Sequence, residues 1–229
     1  MRQRPYVVIN VAATADGKID TFERHGAAIS SERDRQRVDL LRASVDGVMV
    51  GSRTLHDEDP RLIVRSPQLR AERQARGKSE NPAKVGIASR VALRPESRFL
   101  TVGPARIIVF TTAEVSEVDV GPLRARGVEV FREGNGRVDM VAAMRRLVEL
   151  GLERVLVEGG GSLNFELLRL GLVDEVHVYI APLVVGGATA PTLADGAGLP
   201  RDCAVGLARV SVDAWDDGGV LLRYMVDQS

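Results

Sequence analysis

Cysteine, histidine and aromatic residues are scarce in this chain, and its charges cancel. A single cysteine, Cys203, among 229 residues excludes an intrachain disulfide and any zinc site built on several thiolates. A chain without disulfides suits a reducing compartment, so a cytoplasmic protein is expected. The three histidines, His25, His56 and His177, stand far apart with no H-x-x-x-H pair, and no metal site is expected. With 31 basic and 31 acidic side chains the formal net charge is zero, which argues against nucleic-acid binding through global electrostatics. No stretch approaches ~18 consecutive apolar residues, so no membrane span is expected. The N-terminal Met1-Arg2-Gln3-Arg4-Pro5-Tyr6 has no long apolar run behind it, so no signal peptide is expected either. Disorder is excluded by 45% hydrophobic and 27% charged residues. Glycine, by contrast, is plentiful at 23 residues, which directs attention to ligand-binding turns.

The apolar patterning alternates between strand and helix. Tyr6–Ala12, Gly47–Gly51, Val85–Ala88, Ile107–Phe110, Val128–Phe131 and Val155–Val157 read as strands, and Gly47–Gly51 is apolar enough to be central. A helix capped by Ser30 or Ser31 runs to about Ala43, with Val38, Leu41 and Ala43 on its buried face. Helices are also expected over Met140–Leu150, stopped by Gly151, and over Ser162–Leu170. Residues 65–82 are a polar interruption read as a mobile excursion. In Glu175–Ile180, Val176, Val178 and Ile180 face one way and Glu175, His177 and Tyr179 the other. Val205–Val212 and Val220–Val226 form a hairpin through Asp216-Asp217-Gly218-Gly219. The fold class expected is α/β: a mostly parallel central sheet flanked by helices, with a C-terminal antiparallel hairpin. With no linker and no internal repeat, residues 1–229 read as one domain.

The most informative stretch is a strand followed by three glycines and a helix, Val155-Leu156-Val157-Glu158-Gly159-Gly160-Gly161-Ser162-Leu163-Asn164. Glycines let backbone N–H groups approach an anion, and a helix N-terminus adds a favourable dipole, which is the physics of a pyrophosphate site. It is neither the dinucleotide fingerprint, which needs glycine where Asn164 stands, nor a P-loop. A tight turn with nothing bound remains the alternative. A second cluster, Gly51 to Leu62, places hydroxyl, acidic and basic groups at the carboxyl end of a buried strand, where open α/β sheets bind ligands. Asp59-Pro60 within it fixes an extended backbone. A third, Ala12 to Ile19, ends the first strand in Asp16-Gly17-Lys18. Residues 61–78 carry a net charge of +5, read either as a solvated loop or as a phosphate clamp. Gly160-Gly161-Ser162-Leu163-Asn164 fails as a nucleophile elbow at its last position.

Together these stretches resemble the pyrimidine reductases of riboflavin biosynthesis, which have a dihydrofolate-reductase-like fold. The likeness is closest to the stand-alone archaeal-type 2,5-diamino-6-ribosylamino-4(3H)-pyrimidinone 5′-phosphate reductases and extends to the C-terminal domain of the bifunctional bacterial proteins. It covers about residues 5–225. Its landmarks are Thr14-Ala15-Asp16-Gly17-Lys18, Leu41-Arg42-Ala43, Asp46 to Gly51 with Thr54, Asp59-Pro60-Arg61-Leu62 with Arg65, Glu158 to Gly161, and Gly171 to Glu175 with Tyr179-Ile180-Ala181-Pro182.

The resemblance implies an NADPH-dependent enzyme that reduces the ribosylamino side chain of a phosphorylated aminopyrimidine to the ribitylamino product. It implies that Ala12, Thr14, Thr54, Glu58 and Ser89 contact NADPH and that Gly159, Gly160, Gly161, Ser162 and Leu163 hold its pyrophosphate. Gly26, Arg42, Asp59, Leu62, Arg65 and Glu158 would face the substrate, Arg42 and Arg65 suiting its 5′-phosphate. Lys18, beside the sugar, and Asp59 are the candidate proton donors or relays, with water a third. The family also implies a homodimer, to which the apolar segment Tyr179–Gly187 would contribute. Relatives often have aspartate where Glu58 stands; the bacterial domains have serine near Gly26 and tryptophan near Ala28. The deaminase half is missing, because H-x-E with P-C-x-x-C cannot be built from one cysteine. Two other readings stay open: a related enzyme acting on another pterin or pyrimidine, and a non-catalytic NADPH-binding regulator. Also open are the diamino or deaminated form of the substrate and the preference for NADPH over NADH.

Overall fold

The structure, a computed structural model, describes residues 3–91 and 93–227; Met1 and Arg2, part of the stretch read for a leader, lie outside the described residues. In chain order its first elements are β1 (Tyr6–Thr14), α1 (Glu32–Ser44), β2 (Gly47–Gly51), α2 (Pro67–Ala75), β3 (Ala83–Ile87), α3 (Arg98–Thr101), β4 (Ile107–Thr111) and α4 (Glu117–Arg124). There follow β5 (Glu129–Arg132), α5 (Met140–Glu149), β6 (Arg154–Val157), α6 (Gly161–Arg169), β7 (Glu175–Ala181), β8 (Leu207–Ala214) and β9 (Val220–Val226). The chain forms two compact units, one built on Val38–Leu156, the other on Tyr6–Arg37 and the residues from Val157 onward.

In the first unit the strands run in the order β5-β4-β3-β2-β6. Neighbouring strands from β2 to β5 are parallel, with Met49 opposite Val85, Val85 opposite Ile108 and Phe110 opposite Phe131. All five residues of β2 are buried, as its apolar composition predicts for a central strand. Its core gathers Val48, Val50, Phe99, Ile108, Phe110, Met144 and Leu147, each worth about 1.5–3 kcal/mol of burial. α5 forms because Asp139 caps it, accepting from the N–H groups of Val141 and Ala142, while Met140, Ala143, Met144 and Leu147 face the core. Gly151, at φ +83°, ends it. Val141, on its outer side, is exposed.

Residues 65–82 correct the expectation of a mobile excursion. They hold α2, whose N-cap Ser66 accepts from the N–H of Leu69 and whose first residue is Pro67. Arg73 on α2 is 1% exposed and donates to the carbonyls of Ala43, Val45 and Ser79. This guanidinium closes the C-terminal end of α1 and is not available to an anion. The polar composition misled because Arg73 is held by backbone carbonyls instead of by water. The short helices α3 and α4 have too little apolar periodicity to be seen in sequence.

In the second unit the order is β1-β7-β9-β8. β1 and β7 are parallel, with Asn10 opposite His177 and Thr14 opposite Ala181, while β9 pairs antiparallel with both β7 and β8. The strand and hairpin architecture expected from the sequence is therefore present. β1 runs two residues further than expected, to Thr14. Glu175–Ile180 lies within β7 as a strand, and His177 and Tyr179 are buried while Val178 and Ile180 are only half-buried. Tyr179 stacks on Trp215 at 5.2 Å, within a cluster completed by Ile29, Ala181 and Leu221. Gly219 is required there, since a Cβ would lie 2.3 Å from the Tyr179 ring. No described helix is long and apolar enough to cross a membrane.

Candidate active site

In the second unit, β1 delivers Ala12 and Thr14 to its carboxyl end. The buried Thr14 hydroxyl donates to Asp16 Oδ1 at 2.6 Å and accepts from the Lys18 N–H at 3.0 Å, closing a turn around Gly17 at φ +79°. Asp16 also accepts from the N–H groups of Val185 and Gly186; the Thr14 hydroxyl, before these, holds its carboxyl below the usual range. Lys18 is half-buried, and its Nζ has a long contact, 3.4 Å, to the Ala190 carbonyl. Gly26, at φ +79°, is placed by Asp20, whose carboxylate accepts from the N–H groups of Thr21, Gly26 and Ala27. Asp20 is buried and escaped notice in the sequence, where it looks like one more loop acid.

The three glycines stand between β6 and α6. Gly159 has φ +96° with open space where a Cβ would be, Gly160 is the N-cap, and the Gly159–Gly160 peptide is cis. α6 has no acidic residue in its first turn and no side-chain cap. The positive end of its dipole thus lies at the glycines, with Ser162 exposed and Leu163 buried. Gly161 answers to packing instead: a Cβ would lie 2.5 Å from the Thr192 carbonyl and 2.8 Å from Asp195. Asn164, the residue that breaks the dinucleotide fingerprint, is wholly buried and donates to the Leu193 carbonyl at 2.8 Å. Segment 192–195 is therefore tied to the head of α6, a tie invisible in a local motif.

Glu158, half-buried, precedes the glycines in the second unit, and the first unit carries the other residues. Thr54 to Glu58 form a single π-helical turn with Thr54 and Leu55 buried. Asp59 is not extended as expected before Pro60: it and Leu62 both adopt left-handed backbone, φ +45° and +49°. Asp59 accepts from the N–H of Arg98 at 2.9 Å and of Phe99 at 3.1 Å, so its carboxylate caps α3. Arg98 also donates to the Glu58 carbonyl. At the other end of α3, the buried Lys84 Nζ donates to the carbonyls of Phe99 and Val102. Burial lowers its pKa to about 8, opposed by the Asp59 charge. Ser89 follows β3, and its carbonyl accepts from Thr112 Oγ1. Arg42 on α1 donates to the Ile63 carbonyl at 3.0 Å. Arg65 is exposed. Among the described residues no three or more histidine, cysteine or carboxylate side chains gather as a metal site would require.

The profile of the RibD C-terminal domain matches residues 5–221. The 2,5-diamino-6-ribosylamino-4(3H)-pyrimidinone 5′-phosphate reductase of Archaeoglobus fulgidus is 40% identical over 202 residues, 88% of this chain and 91% of that one. The protein of the same name from Methanothermobacter thermautotrophicus is 40% identical over 86% of each chain. The riboflavin biosynthesis protein RibD of Actinobacillus pleuropneumoniae is 32% identical over 98% of this chain but only 57% of its own length. Among solved structures, a pyrimidine reductase-like protein from Corynebacterium diphtheriae superposes with a TM-score of 0.84 at 21% identity, covering 98% of this chain and 93% of that one. It shares the fold. On the profile match and the 40% identity over nearly the whole of two relatives, this chain belongs to the RibD C-terminal domain family of riboflavin-biosynthesis pyrimidine reductases.

Proposed function

We propose that this chain is a cytoplasmic, homodimeric NADPH-dependent reductase that converts the ribosylamino group of 2,5-diamino-6-ribosylamino-4(3H)-pyrimidinone 5′-phosphate to ribitylamino. The observation that carries the reading is the open glycine cradle at the head of α6, in a chain matching stand-alone reductases along nearly their full length. The cradle suits a dinucleotide: Gly159 leaves its Cβ space open, and the first turn of α6 carries no acidic residue of its own to oppose an anion at its dipole. Gly159, Gly160, Gly161, Ser162 and Leu163 would hold the pyrophosphate, with Ala12, Thr14, Thr54, Glu58 and Ser89 as the other cofactor contacts. When bound, the nicotinamide supplies hydride.

The substrate's ribosylamino group opens to an imine at C1 of the sugar, and that carbon accepts the hydride. The protein's work is to position it and to bring a proton to the nitrogen. Lys18 suits the proton role better than Asp59, because both Asp59 oxygens already accept backbone N–H groups. Arg65 would take the 5′-phosphate with Arg42; Gly26, Leu62 and Glu158 would line the substrate. Incubation of the purified chain with NADPH and the diaminopyrimidine ribosyl phosphate should give a product heavier by two hydrogens. An unchanged substrate mass would refute the proposal.

A further inference from the structure

Between β2 and α2 the chain passes through Ile63-Val64-Arg65-Ser66, a segment outside any strand or helix. From the Ile63 carbonyl to the Ser66 N–H its backbone polar groups are nevertheless held, each by a side chain. Arg42 donates to the Ile63 carbonyl at 3.0 Å. The Val64 N–H donates to Asn81 Oδ1 at 2.9 Å. Arg70 Nη1 donates to the carbonyls of Val64 and Arg65, each at 2.9 Å. The N–H groups of Arg65 and Ser66 donate to the two oxygens of Asp39, at 2.6 and 2.8 Å. Asn81 and Asp39 are themselves buried. A segment with no ladder partner has been fixed by four side chains, and the one side chain it presents outward is the exposed Arg65.

We infer that Asp39 is a positioning residue that sets the enzyme's preference for a phosphorylated substrate. The inference rests on the reading of Arg65 as a phosphate contact. Asp39 alone grips both N–H groups that flank the Arg65 carbonyl, so it fixes the direction in which the guanidinium leaves the backbone. A bidentate contact to phosphate depends on that direction, because the guanidinium fork is planar and its geometry is demanding. Asp39 stands three residues before Arg42 on α1, so one helix places both the clasp and the second arginine. A buried carboxylate is costly unless its oxygens are satisfied, and here both are.

The test compares kcat/KM for the phosphorylated substrate and for its unphosphorylated nucleoside in Asp39→Asn, Arg65→Ala and the double variant. Asp39→Asn should lower the phosphate preference about tenfold, and should add little to the loss already present in Arg65→Ala. Should Asp39→Asn not accumulate as folded protein, Asp39→Glu, which keeps the charge and displaces its oxygens by one methylene, carries the same comparison. Equal losses on both substrates, or additive effects in the double variant, would overturn the inference. If Arg65→Ala itself leaves the preference intact, the reading of Arg65 fails and the inference falls with it.

Discussion

At Asp59 the two carboxylate oxygens meet the N–H groups of Arg98 and Phe99, and at Asp39 those of Arg65 and Ser66; Asp20 holds Thr21, Gly26 and Ala27. Acidic residues in these loops act as backbone acceptors, which fixes the irregular segments that carry the candidate site. Asp59→Ala should therefore lower stability by about 1–2 kcal/mol through loss of the α3 cap, measurable by denaturant unfolding. Unfolding indistinguishable from wild type would remove the capping role. Lys18 differs: its backbone is locked to Thr14, while among the described residues its ammonium has one long contact. Lys18→Met should reduce kcat severely and leave NADPH affinity nearly unchanged, because the loss falls on the transition state. A rise in KM alone would make it a sugar-holding residue, and no change would take it out of the mechanism.

Among the elements, α6 and α3 show how short-range signals and long-range ties combine. The head of α6 was legible in sequence because three glycines between an apolar strand and a helix leave few alternatives. Its role as a cradle is tested by Gly160→Val, which should weaken NADPH binding by a large factor in a titration. Gly160 has φ −78°, so a side chain is tolerated by its backbone. Gly161→Ala should instead cost stability, its Cβ falling 2.5 Å from the Thr192 carbonyl. α3 was not legible, since four residues carry no period, and the groups that fix it, Asp59 and Lys84, are 39 and 14 residues from Arg98. Lys84 makes this element pH-sensitive in a defined direction. Its ammonium titrates near 8 when folded against 10.5 when exposed, so between those values the unfolded chain holds a proton the folded chain has released. Stability from this group is lowest below about pH 8 and rises toward pH 10.5. Denaturant unfolding at pH 7.5 and 10 should show that rise in wild type and a smaller one in Lys84→Met; equal slopes would contradict it.

For the whole molecule, strands of β-branched residues and the terminal hairpin could be read from the sequence because their pattern is local. The helix within 65–82 and the burial of His177 and Tyr179 on β7 could not. Arg73 is buried by carbonyls from a distant helix end, and His177 and Tyr179 by the neighbouring strands. Likewise Arg42 and Arg65 could be picked out, while the clasp that holds Arg65 depends on Asp39, Arg70 and Asn81, which meet only in the fold. The exposed edge strand β8 with Leu207, Val210 and Val212, and the exposed Leu183, Val184 and Val185, support the homodimer proposed above. Light scattering at micromolar concentration should return about twice the 24.8 kDa chain mass, and a monomer would defeat it. The central claim, reduction of a phosphorylated ribosylaminopyrimidine by NADPH, is tested most directly by following loss of reduced-nicotinamide absorbance with purified protein. The diamino ribosyl phosphate should support rapid NADPH oxidation, with its deaminated analogue slower. NADPH that binds but is not oxidised with either substrate would contradict the account and leave a cofactor-binding protein without this activity.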